Sequence, residues 1–210
     1  TIARLYAGGE LFLHIGVTLY ETVLGFVLGT AAGTLIAIML WWSPAINRVL
    51  DPYLVVLNAL PKIALGPILI VWFGAGITSI IVMALLISFV VTIMSVLAGF
   101  NEITGEKQLL MKTLGASKLQ IFTMVVLPAS LPTIMNALKI SVGMSWVGVI
   151  VGEYLVSKAG LGYLIVYGGQ VFKLDLVMAS IVVLCLLAAL MYYGVAYMEK
   201  KLVKWRMHGG

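Results

Sequence analysis

The chain has 210 residues, of which 62% are hydrophobic and only 10% are charged. A water-soluble domain carries nearer a quarter of charged residues, so this composition excludes one. The net charge of +5 does not indicate nucleic-acid binding, because the basic residues are not gathered with aromatics on one soluble face. The chain begins at Thr1 rather than Met, and we expect an N-terminal piece to precede it.

Two long apolar runs identify the class of protein. Ile77 to Phe100 is a run of 24 residues without a charge, and Leu176 to Met198 is another of 23. About 20 apolar residues at ~1.5 Å each cross the hydrocarbon core of a bilayer. We therefore predict an all-α, polytopic helical membrane protein with about five transmembrane helices, forming a single domain over residues 1–210.

The N-terminal part predicts an interfacial segment over residues 1–12 and a first span from Leu13 to Trp42. One stripe of that span repeats every fourth residue and consists of Glu21, Gly25, Gly29, Gly33 and Ala37. Small residues at this spacing allow another helix to approach closely, so the stripe predicts helix packing. The glutamate shares the stripe and is expected to face protein rather than lipid.

The second span, Leu50 to Phe73, follows a short loop containing Asn47 and Arg48. Pro61, Pro67 and Lys62 interrupt it. Such residues are tolerated inside a span only where neighbouring protein or water satisfies the freed groups. We therefore expect this helix to be distorted and to face protein or an aqueous pathway.

The third span, 77–100, leads into a polar insert over residues 101–130 that cannot lie in lipid. Glu106 to Leu114 predicts a first short helix and Gly115 ends it. Ala116 to Val126 predicts a second helix that stops at Leu127 and Pro128. The two would form an L-shaped knob, and the alternative is an ordinary loop folded against its own helix ends.

The fourth span is predicted from Leu131 to Val151, with Ser130 as its N-cap and Lys139 about two turns in. Small residues fall on one of its faces, namely Ser141, Ser145, Gly148 and Gly152. Residues 161–172 are too few to span, so 152–175 is predicted to be an extracytoplasmic or re-entrant segment. The fifth span is predicted over 176–198.

The distribution of basic residues predicts the orientation. With the insert in the cytoplasm, eight Lys and Arg lie on the inner side and three on the outer side. This positive-inside bias puts the insert and the C-terminal tail in the cytoplasm of a multi-pass cell-membrane (inner-membrane) protein.

No catalytic constellation is present in the sequence. The segment from Gly99 to Lys107 has the wrong spacing for a phosphate-binding loop and lacks the Gly-Lys-Ser/Thr ending. His14 and His208 have no partners at metal-ligand spacing, so no metal site is predicted. We expect the chain to be no enzyme and to bind no cofactor.

Three separated motifs carry a family resemblance. They are PKIALGPILIVWFG at 61–74, LGASKLQIFTMVVLPASLP at 114–132 and GEYLVSKAGLGYLI at 152–165. The second motif, with Pro128 thirteen residues after Gly115, resembles the EAA signature of ABC-importer permeases, and all three resemble the nitrate/sulfonate/taurine type. The chain departs from the family pattern at Leu109, where the family has glutamate.

The resemblance implies a set of partners and of site residues. The insert would be the coupling helix that docks on a separate cytoplasmic ATPase, which holds ATP and Mg²⁺. Two permease copies would pair as a homodimer in the lipid bilayer, with two ATPase subunits and an extracytoplasmic substrate-binding protein. The coupling residues would be Met111, Lys112, Thr113, Leu114, Gly115, Ala116, Ser117, Leu127 and Pro128.

Polar residues at membrane depth are pathway candidates, because an ionised side chain facing lipid costs at least ~2.5–3.5 kcal/mol. A lysine could attract an anionic substrate such as a sulfonate, taurine or nitrate. Alternatively it could form a structural ion pair with Glu21, bind a helix-end carbonyl or snorkel to the interface. The candidates are Glu21, Lys62, Lys139, Ser141 and Ser145. On the outer side, Glu153, Gly160 and Gly162 are candidates for docking the binding protein.

Two other functions are compatible with the residues alone. One is a secondary transporter driven by an ion gradient, although no pair of broken helices recurs in inverted halves. The other is a membrane scaffold subunit without a pathway, which the interrupted second span disfavours.

Overall fold

The computed structural model describes residues 10–103 and 105–207, and the predicted segment 1–12 therefore lies largely outside it. The all-α prediction is confirmed, because the described chain is built of helices joined by short turns. A 3₁₀ turn, Lys62–Leu65, and a π-helical turn, Phe122–Val126, connect some of them. The helices are α1 (Glu10–Trp42), α2 (Pro44–Ala59), α3 (Gly66–Phe73), α4 (Ile77–Asn101), α5 (Gly105–Thr113), α6 (Lys118–Ile121), α7 (Leu127–Val156), α8 (Leu161–Gln170) and α9 (Leu174–Met207).

Four segments of the described chain are long and apolar enough to cross a membrane: Leu11–Trp42, Ile77–Asn101, Lys118–Val156 and Leu174–Leu202. A fifth crossing exists if the pair Pro44–Ala59 and Lys62–Phe73, bent by 83°, counts as one broken span. The prediction of about five spans is confirmed in this form.

The second span differs from its prediction as a single interrupted helix. Asn47 and Arg48 belong to α2 rather than to a loop, because Ser43 caps α2 by accepting a hydrogen bond from the Ile46 N–H at 3.5 Å. The helix ends at Ala59 because Pro61 disfavours helical backbone in the residue before it.

The predicted boundary between insert and fourth span is wrong. The helix does not stop at Leu127 and Pro128, and Ser130 is not an N-cap. A π-helical turn shifts the hydrogen-bond register just before Pro128, so the proline's missing N–H does not break the helix. The Ser130 hydroxyl is buried and lies 3.0 Å from the Gly99 carbonyl oxygen.

The last span and the segment before it also have new boundaries. The final helix, Leu174–Met207, extends beyond the predicted 176–198 at both ends. At its start the Lys173 carbonyl oxygen, just outside the helix, accepts from the Leu176 and Val177 N–H groups, and at its end the charged residues after Met198 continue helical backbone. Within 152–175, α8 has 10 residues, too few to span, as the sequence predicted.

Helix α4 lies at the centre of the bundle, between α1 and α7. The glycine stripe of α1 packs against it so closely that a Cβ at Gly25, Gly29 or Gly33 would clash with an α4 side chain. The residues that meet these glycines form a matching stripe of small residues on α4, namely Ala84, Ser88 and Thr92. The packing predicted from the α1 stripe is therefore confirmed.

Helix α7 packs against the opposite side of α4, again through glycines that allow a close approach. Gly148 lies against the backbone of Ala84, and Gly152 lies against Ile80. Ala84 thus has α1 on one side and α7 on the other. These close approaches hold α1, α4 and α7 together as the rigid core to which the insert is attached.

Candidate functional site

The polar insert folds into an L-shaped knob, which we define as residues 105–121. Its corner is a Schellman motif, in which the Ala116 N–H donates to the Met111 carbonyl and the Gly115 N–H donates to the Lys112 carbonyl, both at 3.0 Å. Gly115 has φ of 77°, a left-handed conformation that favours glycine. The predicted helix–glycine–helix arrangement is therefore present.

The second arm of the knob begins with a capping box. The Ser117 hydroxyl accepts a hydrogen bond from the Gln120 N–H at 3.3 Å, and the Gln120 side chain accepts one from the Ser117 N–H at 2.7 Å. The sequence Ser-x-x-Gln carries this signature, which our sequence analysis missed. The two motifs together fix both arms at a defined angle.

An aromatic cluster attaches the knob to the spans. Phe122, directly after the knob, is buried, and its ring centroid lies 5.0 Å from that of Trp41 and 5.5 Å from that of Phe100. The Lys118 ammonium donates to the Trp42 carbonyl at 2.5 Å and lies 5.8 Å from the centre of the Trp41 ring. Movement of the knob must therefore move the ends of α1, α4 and α7.

The outer surface of the knob is unusually apolar for a segment outside the membrane. Four leucines of the knob are 59–73% exposed to solvent in the single chain, namely Leu109, Leu110, Leu114 and Leu119. Of the predicted coupling residues, 111–117 lie together at the corner. Leu127 and Pro128 lie beyond the knob, in the first turn of α7.

A recess of about 380 Å³ separates the knob from the junction of α1 and α2. Lys112 and Lys118 line it from the knob, and Asn47 and Asn101 line it from the spans. The Asn47 side-chain oxygen is buried there without a hydrogen-bond partner among the described residues.

The lysines at membrane depth do not pair with Glu21. Lys139 forms an ion pair with Glu199 of α9, with 3.0 Å between Nζ and Oε2. Lys62, at the break of the second span, donates to the Asn58 carbonyl oxygen at 3.0 Å and so caps the end of α2. The ion pair with Glu21 that we considered is therefore absent from the described part of the chain.

The two serine candidates for the pathway lie in the seam between α4 and α7. Ser141 is fully buried, and its hydroxyl oxygen is 2.7 Å from that of Thr92 on α4. Ser145 is one turn further along the same helix, and it is also fully buried. In the single chain both face another helix rather than an aqueous channel.

The outer-side candidates form a buried cluster instead of an exposed docking surface. Glu153 is only 1% exposed, and Gly160 and Gly162 pack directly against its carboxyl group. The Gly162 N–H donates to Glu153 Oε2 at 2.5 Å. Lys158, in the turn between α7 and α8, is exposed.

No group of three or more His, Cys, Asp or Glu that could hold a metal ion occurs among the described residues. The arrangement instead has the parts of a transport subunit: spanning helices, one broken span and a rigid knob outside the membrane. The class that this fold defines is a multi-pass inner-membrane permease.

The chain belongs to the family of binding-protein-dependent transport system inner membrane components, whose family model matches residues 25–204. This membership supports an ABC-importer permease and decides against both the ion-gradient-driven transporter and the scaffold. It also confirms the resemblance drawn from the three motifs.

Two relatives have similar sequences along nearly the whole chain. SsuC of Bacillus subtilis (strain 168), whose name describes an aliphatic sulfonates transport permease, is 32% identical over 98% of this chain and 75% of the relative. The taurine transport system permease protein TauC of Escherichia coli (strain K12) is 30% identical over 97% of this chain and 74% of the relative.

The fold is shared with a solved ABC transporter. A chain from the inward-facing MetNI methionine ABC transporter superposes with a TM-score of 0.80 at 20% identity, covering 92% of this chain and 96% of that chain. At this identity the similarity supports the fold alone.

Proposed function

We propose that two copies of this permease pair around a pathway for a small anionic solute of the sulfonate or taurine class, and that the knob of each copy docks on a separate cytoplasmic ATPase subunit. The two ATPase subunits would hold ATP and Mg²⁺, and a soluble binding protein would deliver the solute from outside. The observation that carries the proposal is the exposed apolar surface of the rigid knob.

The knob leucines are the main argument for a protein partner. Leu109, Leu110 and Leu114 are 61–73% exposed on a segment that the charge distribution places outside the lipid. Covering one leucine is worth roughly 1.5–3 kcal/mol, so the cluster provides a strong driving force for association. Leu109, where the family has glutamate, would then contribute an apolar contact in place of a polar one.

Rigidity makes the knob suitable for transmitting movement. The Schellman motif and the capping box fix the angle between its arms, and the Phe122 cluster connects it to three spans. A displacement of the docked ATPase would therefore tilt α4 and α7 rather than deform a loop.

The docking proposal is tested by Leu114→Glu in the knob, compared with Leu174→Glu. Leu174 is a matched control, because it is 69% exposed at the start of α9, away from the knob. We expect Leu114→Glu to abolish co-purification of the ATPase and stimulated ATP hydrolysis, while Leu174→Glu retains both. Equal retention by the two variants would contradict docking through the knob.

The bent pair α2–α3 supports the proposed pairing of two copies. Of the 16 residues of α2 only Leu54 is buried in the single chain, and the polar Lys62 lies at the break between the two helices. Broken backbone and polar side chains at membrane depth require protein or water around them rather than lipid. A second copy facing this pair would supply both a protein surface and a water-filled pathway between the chains.

Lys62 is our candidate for attracting an anionic solute. It lies at the break, where the N-terminus of α3 also provides partial positive charge. No carboxylate neutralises it among the described residues, whereas Lys139 is paired with Glu199. The names of the sulfonate and taurine relatives agree with an anionic substrate.

The pathway proposal is tested by uptake of a radiolabelled sulfonate into proteoliposomes containing the complete transporter. We expect Lys62→Met to reduce uptake at least tenfold without loss of stimulated ATP hydrolysis. Lys139→Met should retain most uptake because its charge is already neutralised. Unchanged uptake in Lys62→Met would remove this lysine from the pathway.

A further inference from the structure

A buried polar network connects the first span to the extracytoplasmic turn. Thr18 is fully buried on α1, and its hydroxyl donates to Glu153 Oε1 at 2.6 Å while accepting from the Leu161 N–H at 2.7 Å. One turn earlier on α1, His14 Nδ1 accepts from the Gly160 N–H at 2.9 Å. The carboxyl of Glu153 is therefore the centre of a junction between α1, α7 and α8.

The two glycines of the turn create the space for this carboxyl. A Cβ at Gly160 would overlap the carboxyl oxygens of Glu153, and a Cβ at Gly162 would lie 2.7 Å from one of them. Gly160 also has φ of 117°, which a side chain would disfavour. The sequence Gly-Leu-Gly at 160–162 thus forms a cradle for one buried glutamate.

Glu21 is the second carboxyl of the junction and poses a problem of hydrogen bonding. It is fully buried on α1, and no N–H or O–H group donates to either of its oxygens among the described residues. Its carboxyl lies against that of Glu153. Two carboxylates only accept hydrogen bonds, so they cannot satisfy each other when both are ionised.

Two kinds of positive partner could neutralise such a pair, a basic side chain or a proton. The ion pair between Lys139 and Glu199 lies elsewhere in the bundle. The other titratable groups near the junction are His14, whose Nδ1 is already engaged by Gly160, and the phenols of Tyr163 and Tyr154. The phenols are not cationic, and the groups that act on the two carboxyls include no lysine or arginine of the described chain.

We propose that Glu21 and Glu153 hold one proton between them, and that this proton is a structural ligand which fastens the extracytoplasmic turn to the first span. The protonated carboxyl donates to the ionised one, which supplies the missing donor to Glu21. The pair then carries a single negative charge, and Thr18 and the Gly162 N–H donate to the Glu153 side of it. Shared protons between adjacent carboxyls are an established solution to like-charge contact.

The inference does not depend on the proposed function, because it concerns the free permease. Its direct test is infrared spectroscopy of the purified full chain in detergent at neutral pH. A protonated carboxylic acid has a C=O stretch that a carboxylate lacks, and exposed carboxyls are ionised at this pH. We expect this band in the wild-type chain and its loss in Glu21→Gln, whose amide can donate to Glu153 without holding a proton.

The matched control is Glu102→Gln. Glu102 is an exposed glutamate at the other end of α4, accepting from the Thr133 hydroxyl at 3.1 Å, and its replacement should leave the band unchanged. Absence of the band in the wild-type chain would overturn the proposal even if no variant folds. Persistence of the full band in Glu21→Gln would overturn the sharing.

A second measurement follows from proton linkage. The folded pair holds a proton that unfolded carboxyls release above about pH 5, so the folded state binds more protons and stability falls as pH rises. While the pair keeps its proton, each pH unit lowers the ratio of folded to unfolded chain about tenfold relative to Glu21→Gln. Parallel pH profiles of wild type and Glu21→Gln would contradict the proposal.

Discussion

Replacing Gly148 by alanine tests whether backbone contact between α4 and α7 holds the bundle together. A Cβ on Gly148 would overlap the Cα of Ala84 and lie 3.0 Å from its backbone nitrogen. These neighbours are backbone atoms, so no rotation of a side chain can relieve the contact. The helices must separate instead.

The magnitude follows from two opposing effects. Overpacking a tight interior costs about 1–3 kcal/mol. Replacing glycine by alanine inside a helix returns up to ~1 kcal/mol through helix propensity. Gly143→Ala on the same helix carries the same propensity gain, but no heavy atom lies within 4 Å of its added methyl group. The difference between the two variants therefore isolates the steric cost.

Thermal unfolding of the purified variants in detergent measures this difference. A steric cost of about 2 kcal/mol corresponds to roughly 4–8 °C for a chain of this size. We expect Gly148→Ala to unfold lower than Gly143→Ala by that interval. If both variants unfold at the same temperature, the two helices are not in backbone contact and the reasoning fails.

Two further predictions concern the attachment of α9 and of the knob. A double-mutant cycle of Lys139→Met and Glu199→Gln, measured by thermal unfolding, should give a coupling free energy of about 0.2–1 kcal/mol, because the ion pair is partly exposed. Additive effects of the two substitutions would show that the ion pair contributes nothing to stability. Phe122→Ala should destabilise the chain by about 3–5 kcal/mol in thermal unfolding and uncouple ATP hydrolysis from uptake. Exposed Phe172→Ala is its control and should change neither property.

The sequence predicted much of the architecture because a membrane restricts the possible folds. Uninterrupted apolar runs must be helices in lipid, so the span 77–100 was placed to within a residue of α4. The glycine repeat of α1 also has one physical meaning, close helix packing, and the structure contains it. The helix end at Gly115 was predictable because few residues other than glycine accept its backbone conformation.

Boundaries set by local compensation were not predictable. Pro128 is typical of a helix end, but the π-helical turn before it changes the hydrogen-bond register. The proline's missing N–H therefore does not interrupt the helix, which continues into α7. The rule that proline ends helices therefore failed here, because hydrogen-bond register depends on the whole turn. Asp175 and the charged residues after Met198 likewise suggested ends for a helix that includes them.

By itself, the sequence determined the class of the protein, its spans and the shape of its insert, because these depend on polarity, length and local backbone preference. Only the tertiary structure decided the partners of the buried polar groups. Glu21 meets Glu153 rather than a lysine, although the two are far apart in the chain. Such pairings depend on how helices are oriented against one another, and the spacing of residues along one helix does not contain that information.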